Sequence, residues 1–134
     1  MNNNEEQPQI NTPETLFDHW RIVLGYKRAK LDEKRRKLIA ARLNDGYSFE
    51  DLMDAISGCF LSAFHQGENA DRRRYDDIGL ILRDAEHVDK FVALYDDAQV
   101  IFARKQIKLI PVEINASTAE TARAKLEQMR RLLK

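Results

Sequence analysis

Apolar residues recur along this chain at the three- and four-residue spacing of amphipathic helices. Successive stretches of this kind are separated by polar or glycine-containing breaks, and no long region shows the strict alternation of a half-buried strand. The predicted apolar faces are formed by Leu16, Trp20, Val23 and Leu24; by Leu31, Leu38, Ile39 and Leu43; by Leu52, Ala55, Ile56 and Cys59; by Ile78, Leu80, Ile81 and Leu82; and by Val88, Phe91, Val92, Tyr95 and Phe102. We therefore predict an all-α fold, a compact bundle of about five to six helices.

Residues with capping preferences mark where these helices should begin and end. Ser, Thr and Asp side chains accept hydrogen bonds from the first free amides of a helix, and Gly or Asn tolerates the left-handed backbone that follows the last turn. Predicted starts are Thr12-Pro13, Asp32, Ser48 (with Asp51 in a capping motif), Asp76 and Asp84, and predicted ends are Gly25, Asn44-Asp45-Gly46, Gly58-Cys59 and Arg83.

Composition divides the chain into four segments. Residues 1–11 are polar and lack apolar spacing, which predicts a disordered tail, and residues 12–105 should form the helical domain. Apolar residues partly alternate in QIKLIPVEI, which predicts a short extended segment at 106–114 within a linker at 106–116. Residues 117–134 should form a C-terminal amphipathic helix.

The C-terminal helix has a narrow apolar seam. Leu126, Met129 and Leu133 continue the spacing of Ala119 and Ala122, which alternates between three and four residues as in a coiled coil. Three outcomes are open: the seam docks on its own domain, forms a homodimer, or meets another protein. Leu126, Met129 and Leu133 are accordingly the candidate partner-binding residues.

The formal net charge is zero, but the charges are segregated. Residues 1–20 contain four acidic and no basic residues, whereas residues 27–42 contain eight basic and two acidic ones. Segregation of this kind favours an anionic partner, and lysines and arginines that neutralise phosphates bind DNA without reading its bases. The candidate DNA-binding residues are Arg28, Lys30, Lys34, Arg35, Arg36 and Arg42, with Arg72, Arg73 and Arg74 in the polar segment 62–74. The alternatives are an ordinary solvated surface, or neutralisation within the molecule by the acidic tail or the acidic helix at 85–104.

A short turn between the second and third helices is typical of a helix-turn-helix reader. The third helix begins with Glu50, Asp51 and Asp54, however, where a recognition helix needs hydrogen-bond donors for phosphates and bases. DNA contact is therefore expected through the basic helix that precedes the turn.

Residue types that support catalysis are few and scattered. His19, His65 and His87 lie in separate elements without metal-ligand spacing, Cys59 is the single cysteine, and no glycine-rich phosphate loop is present. A Cys59–His65 nucleophile pair would need an orienting group and an oxyanion site, and adjacent aspartates such as Asp76–Asp77 point apart on a helix. We predict a non-enzyme with no metal and no cofactor.

The N-terminus has neither the basic region nor the apolar core of a signal peptide, and no apolar run approaches the ~20 residues of a membrane span. We expect a soluble cytoplasmic protein without a membrane partner.

Three segments resemble a domain of bacteriophage and prophage replication proteins of the replisome-organiser and helicase-loader type, with a looser similarity to DnaD-like primosomal proteins. They are DEKRRKLIAARLNDGY, SAFHQGEN and YDDIGLILRDA, and the resemblance spans about residues 16–92. It implies binding of origin or single-stranded DNA and delivery of a host replicative helicase. In these proteins the domain typically follows a winged-helix DNA-binding domain. Here about fifteen residues precede the shared region, so we expect either an accessory that binds the helicase or DNA, or a decoy that competes with a host loader.

Two functions follow from these observations. The first is a phage or prophage DNA-replication accessory protein that binds DNA non-enzymatically, a host replicative helicase, or both. The alternative is a small protein-interaction module, an adaptor or inhibitor of a host replication or transcription protein, without DNA binding.

Overall fold

The computed structural model describes residues 12–105 and 118–133. These residues form six helices: α1 (Pro13–Leu24), α2 (Glu33–Asn44), α3 (Phe49–Leu61), α4 (Ile78–Ile81), α5 (Ala85–Lys105) and α6 (Thr118–Leu133). Within the described ranges there is no β-strand, and one isolated bridge pairs Gln66 with Arg74. The all-α prediction is confirmed. The predicted tail at 1–11 and extended segment at 106–114 lie outside the described residues.

Most predicted caps are confirmed. The side chains of Thr12 and Asp32 accept hydrogen bonds from backbone amides three residues later, and Ser48 and Asp51 form a reciprocal capping box. Gly25 follows α1 with a left-handed backbone, at φ 86°. These caps form because each partner lies within one helical turn.

Three predicted boundaries differ from the structure: α4 ends at Ile81, two residues before the predicted Arg83, and two others are wrong because of tertiary packing. The third helix runs past Gly58-Cys59 to Leu61, and the side chain of Asp77 caps α4 by accepting from the Gly79 amide. Asp76, the predicted cap, is buried and has other partners. Both errors arise where tertiary packing uses a residue that also has a local capping or helix-ending preference.

Helix α3 forms the centre of the molecule, because residues 55–61 are buried without interruption. It packs against α5 on one side and against α1 and α6 on others. Gly58 sets the distance to α5: a Cβ atom at this position would lie 1.9 Å from the backbone oxygen of Phe91. The absence of a side chain therefore allows the α3 backbone to approach the α5 backbone directly.

Helix α6 docks on its own domain, the first of the three outcomes that the sequence left open. Leu126 and Met129 belong to the hydrophobic core, and Leu133 is half-buried against it. Arg123 strengthens the contact by donating to the carbonyl oxygens of Ile22 (3.1 Å) and Val23 (2.8 Å) at the end of α1. The assignment of Leu126 and Met129 to a partner surface is therefore corrected, because their side chains are covered by the chain itself.

None of the helices in the described ranges is long and apolar enough to cross a membrane.

Candidate nucleic-acid interface

The basic side chains of α2 divide into an inward and an outward set. Ile39 is the fully buried residue of this helix, and the helical period places Arg35 and Arg42 on the same side as Ile39. Lys34 and Lys37 lie on the exposed side. The inward set contacts other parts of the chain, whereas Lys34 and Lys37 of the outward set make no ion pair with the described residues.

Arg35 holds the segment before α2 against α1. Its Nη1 donates to the backbone oxygen of Lys30 at 2.6 Å. Its guanidinium group also lies 5.7 Å from the ring centres of both Phe17 and Trp20. A cation in this position stabilises the packing of two aromatic rings, and its side chain is only 29% exposed, so it is less accessible to a ligand than the outward cations.

Arg42 stabilises the end of α4. Its Nη1 donates to the carbonyl oxygens of Leu82 (2.8 Å) and Arg83 (2.7 Å), and its Nε pairs with Asp45 at 2.8 Å. The side chain is only 13% exposed. Arg42 was predicted to bind DNA, and the structure corrects this: its donors are used by carbonyl groups of the same chain.

In the turn between α1 and α2, hydrogen bonds hold the backbone in place, while the basic side chains remain exposed. Arg21 Nη1 donates to the backbone oxygen of Lys27 at 2.7 Å, and Arg35 holds Lys30 as described above. The side chains of Lys27, Arg28 and Lys30 are exposed and make no hydrogen bond or ion pair with the described residues. This turn presents cations on a fixed scaffold.

Two further lysines continue this arrangement along α2. Lys34 and Lys37 are one helical turn apart, exposed, and without an ion pair to the described part of the chain. Arg36 pairs with Glu14 of α1 at 2.8 Å, a surface contact that contributes little and that a phosphate can displace. The acidic N-terminal region thus neutralises one of the candidate cations. We call Lys27, Arg28, Lys30, Lys34 and Lys37 together the basic surface.

The three arginines of the loop between α3 and α4 also differ in role. Arg74 Nε donates to Asp76 at 2.8 Å, and its Nη2 lies 2.6 Å from the same carboxylate oxygen in an ion pair. Nη2 also donates to the carbonyl oxygen of Leu24 at 2.6 Å, so this arginine joins the loop to the end of α1. Arg72 and Arg73 have exposed side chains without hydrogen bonds or ion pairs to the described residues. They are the two arginines of this loop that remain free for a ligand.

A buried carboxylate connects the loop to the turn. The side chain of Asp76 is 1% exposed and accepts hydrogen bonds from the Tyr26 hydroxyl, from Gln66 Nε2 (3.1 Å) and from Arg74. Burial, together with the hydrogen bond to Asp76, raises the pKa of Tyr26 to about 12, so its hydroxyl stays a donor near neutral pH. The Trp20 indole donates to the backbone oxygen of Asp76 at 2.9 Å. We call this group the Asp76 cluster.

The Asp76 cluster was missed from sequence, where Asp76 was interpreted as a helix cap. The sequence contained one indication of this role. A helix needs only one acidic N-cap, so one member of the Asp76–Asp77 pair was left for another function. A buried Trp or Tyr also needs a polar partner, and Trp20 and Tyr26 both find one here. As a result, the turn that carries Lys27 and the loop that carries Arg72 lie against each other.

The candidate catalytic residues make hydrogen bonds with scaffold groups. The thiol of Cys59 donates to the Tyr75 carbonyl oxygen at 3.6 Å, and burial raises its pKa. The ring of His65 pairs with Ser62 at 2.7 Å. His19 pairs with Ser57 inside the core, where burial lowers its pKa to about 4. In the described ranges, no three His, Cys, Asp or Glu side chains are grouped so that they could hold a metal ion.

Comparison of the chain with family models, curated proteins and solved structures gives no match. The resemblance to phage replication proteins therefore stays a prediction from sequence motifs.

Proposed function

We propose that this protein is a DNA-binding accessory protein, without enzymatic activity, of the kind used in phage or prophage DNA replication. One observation carries the proposal: the five side chains of the basic surface lie within eleven consecutive residues, are exposed, and have no ion-pair partner among the described residues. Three of the five lie in a turn that is held by Arg21 and Arg35, and the other two lie on α2, so ordering the backbone on binding costs little conformational entropy.

The chemistry of this surface suits phosphate groups. Lysine and arginine side chains on a turn and a helix contact the sugar–phosphate backbone and do not select a sequence. Each phosphate that is neutralised releases counterions, so about five contacts would give a slope near −4.5 in a plot of log affinity against log salt for duplex DNA. Affinity for a duplex should therefore fall roughly 500-fold between 50 and 200 mM salt.

The direct test is fluorescence anisotropy with labelled single-stranded and duplex oligonucleotides over this salt range. Charge reversal of Arg28, Lys30 and Lys34 to Glu should weaken binding at least ~10-fold and reduce the salt slope by about three. A matched control reverses three exposed cations on other elements, Arg104, Lys105 and Lys125, and makes the same change in net charge.

The two variants separate the possible results. If they weaken binding equally, attraction depends on net charge alone and the basic surface is not the site. If the wild-type protein binds neither oligonucleotide at 50 mM salt, DNA binding is refuted and the protein-interaction module replaces it.

The host replicative helicase is the protein partner that the resemblance implies. Mixing the purified protein with a bacterial replicative helicase and separating the species by size-exclusion chromatography with light scattering tests this contact. Co-elution supports the loader-type role, and the same run reports whether the protein alone forms a dimer. Separate elution at micromolar concentrations would remove the helicase from the proposal and leave DNA binding in place.

A further inference from the structure

Phe64 is the most exposed large apolar side chain among the described residues, at 54%. It lies in the loop between α3 and α4. Its ring is nearly parallel to that of Tyr75, at an angle of 16° and a distance of 6.0 Å between ring centres. His65 contacts the edge of Phe64 at 5.1 Å and the buried ring of Phe91 at 4.8 Å. The exposed ring is therefore the outermost member of an aromatic row that begins in the core.

The loop holds Phe64 in this position. Asn69 Nδ2 donates to the carbonyl oxygens of both Phe64 (2.8 Å) and Arg73 (2.7 Å), and Asn69 Oδ1 accepts from the Arg73 amide at 3.2 Å. Arg72 has a φ of 55°, a left-handed conformation that residues other than glycine adopt infrequently. A loop fixed by these contacts keeps an apolar ring in solvent, where a freely moving loop could fold it inward.

The loop that carries Phe64 also carries exposed charged residues. Arg72 and Arg73 are exposed in the same loop, as are two acids, Glu68 and Asp71, the latter accepting from the Tyr75 hydroxyl at 3.1 Å. The loop therefore has no excess of positive charge. The attraction for a polyanion therefore comes from the basic surface. Arg74 connects the loop to the turn that carries part of this surface: it donates to the Leu24 carbonyl oxygen, and its guanidinium carbon lies 5.1 Å from the centre of the Tyr26 ring.

We infer that Phe64 stacks on an unpaired base of a single DNA strand whose phosphates lie on Arg72, Arg73 and the basic surface. The inference rests on the proposed DNA binding and names its substrate class. An exposed ring in a loop with two exposed arginines suits an unpaired nucleobase, since every base has a flat face and stacking tolerates any sequence. A protein partner would favour an apolar surround, whereas the loop that carries Phe64 also carries the exposed charged residues Glu68, Arg72 and Arg73.

The experiment compares a labelled 16-nucleotide oligo(dT) with a 16-base-pair duplex at one salt concentration. Phe64→Ala should weaken oligo(dT) binding about 5- to 100-fold and leave duplex binding within about twofold, because bases of a duplex are already stacked on each other. Phe64→Leu, which is apolar but has no aromatic face, should lose as much as Phe64→Ala. Thermal melting controls for folding, and the exposure of Phe64 predicts little change.

A spectroscopic arm tests the stacking contact itself. Phe64→Trp should keep the single-strand affinity, and the emission of the new indole should be quenched by oligo(dT). The natural Trp20 is buried and stacked on Tyr26, so the wild-type protein serves as the unquenched control.

Each result decides between the proposals. Oligo(dT) binding that survives Phe64→Ala refutes the stacking inference alone and marks Phe64 as a protein contact. Equal loss of duplex and single-strand binding refutes it as well, because the loop then acts through its fold. A wild-type protein that binds neither DNA refutes the proposed function, and the stacking inference with it.

Discussion

Gly58 is the position where a single methyl group should most disturb the fold. In Gly58→Ala the new Cβ would lie 1.9 Å from the Phe91 oxygen, 3.0 Å from its carbonyl carbon and 3.2 Å from the Tyr95 nitrogen. All three are backbone atoms of α5, so no rotamer change relieves the overlap. To reach even 3.0 Å from that oxygen, α3 and α5 must separate locally by 1.1 Å.

The cost of this separation follows from packing. Helices α3 and α5 form the central contact of the molecule, and a gap of 0.5–1 Å already forfeits about a quarter to a half of each dispersion contact across it. Overpacked cores lose about 1–3 kcal/mol, and a clash with backbone belongs at the upper end. The better helix propensity of alanine offsets about 1 kcal/mol. We expect a net loss of about 2 kcal/mol and a melting temperature roughly 10 °C lower.

Urea unfolding followed by circular dichroism measures this loss, with Gly79→Ala as the matched control. At Gly79 the added Cβ meets the carboxylate of Asp77 at 2.7 Å, a side chain that can rotate away, so the control should lose about 1 kcal/mol or less. A Gly58→Ala protein within about 0.5 kcal/mol of the wild type would show that the α3–α5 backbone contact does not exist.

Two further predictions concern buried and half-buried carboxylates. Burial and the nearby charges of Glu50, Asp96 and Asp51 raise the pKa of Asp54 to about 6. The folded state therefore prefers the protonated form, and stability is lost as the pH rises through about 6. In urea unfolding at pH 7.5, Asp54→Asn should therefore be more stable than the wild type by about 1 kcal/mol after solvent screening. This difference in the free energy of unfolding should vanish at about pH 4. A difference that does not depend on pH would contradict the ionic cause. Asp76→Ala removes the acceptor of the Asp76 cluster and should lower the free energy of unfolding by about 3 kcal/mol in the same assay. The amides of the loop should also exchange hydrogen faster. A decrease below about 1 kcal/mol would show that the cluster is not what joins the loop to the turn.

The sequence motifs that carry the family resemblance have visible structural roles. Arg42 and Asp45 of the motif ending in NDGY pair with each other, and Asn69 of SAFHQGEN fixes the loop around Phe64. In YDDIGLILRDA, Asp76 is the buried acceptor and Asp77 caps α4. These polar residues stabilise the scaffold, while the cations proposed to bind DNA lie mainly in the turn and on the outer face of α2.

The amino-acid sequence by itself determined the helices, most of their caps and the segregation of charge. Each of these depends on residues within about one helical turn, so spacing alone predicts them. Local pattern likewise sufficed to place Leu16, Trp20 and Val23 in the core, as the structure confirms.

Only the tertiary structure decided which cations are free and which acid is buried. The two carbonyl oxygens that accept from Arg42 lie 40 and 41 residues away, and Trp20 and Asp76 are separated by 56 residues. A guanidinium group that caps a distant helix and one that faces solvent have the same local sequence pattern, because the difference lies in which carbonyl oxygens the fold brings to it. For the same reason Phe64, in a polar segment without apolar spacing, became a candidate only when the structure showed its ring held in solvent in a loop with two exposed arginines.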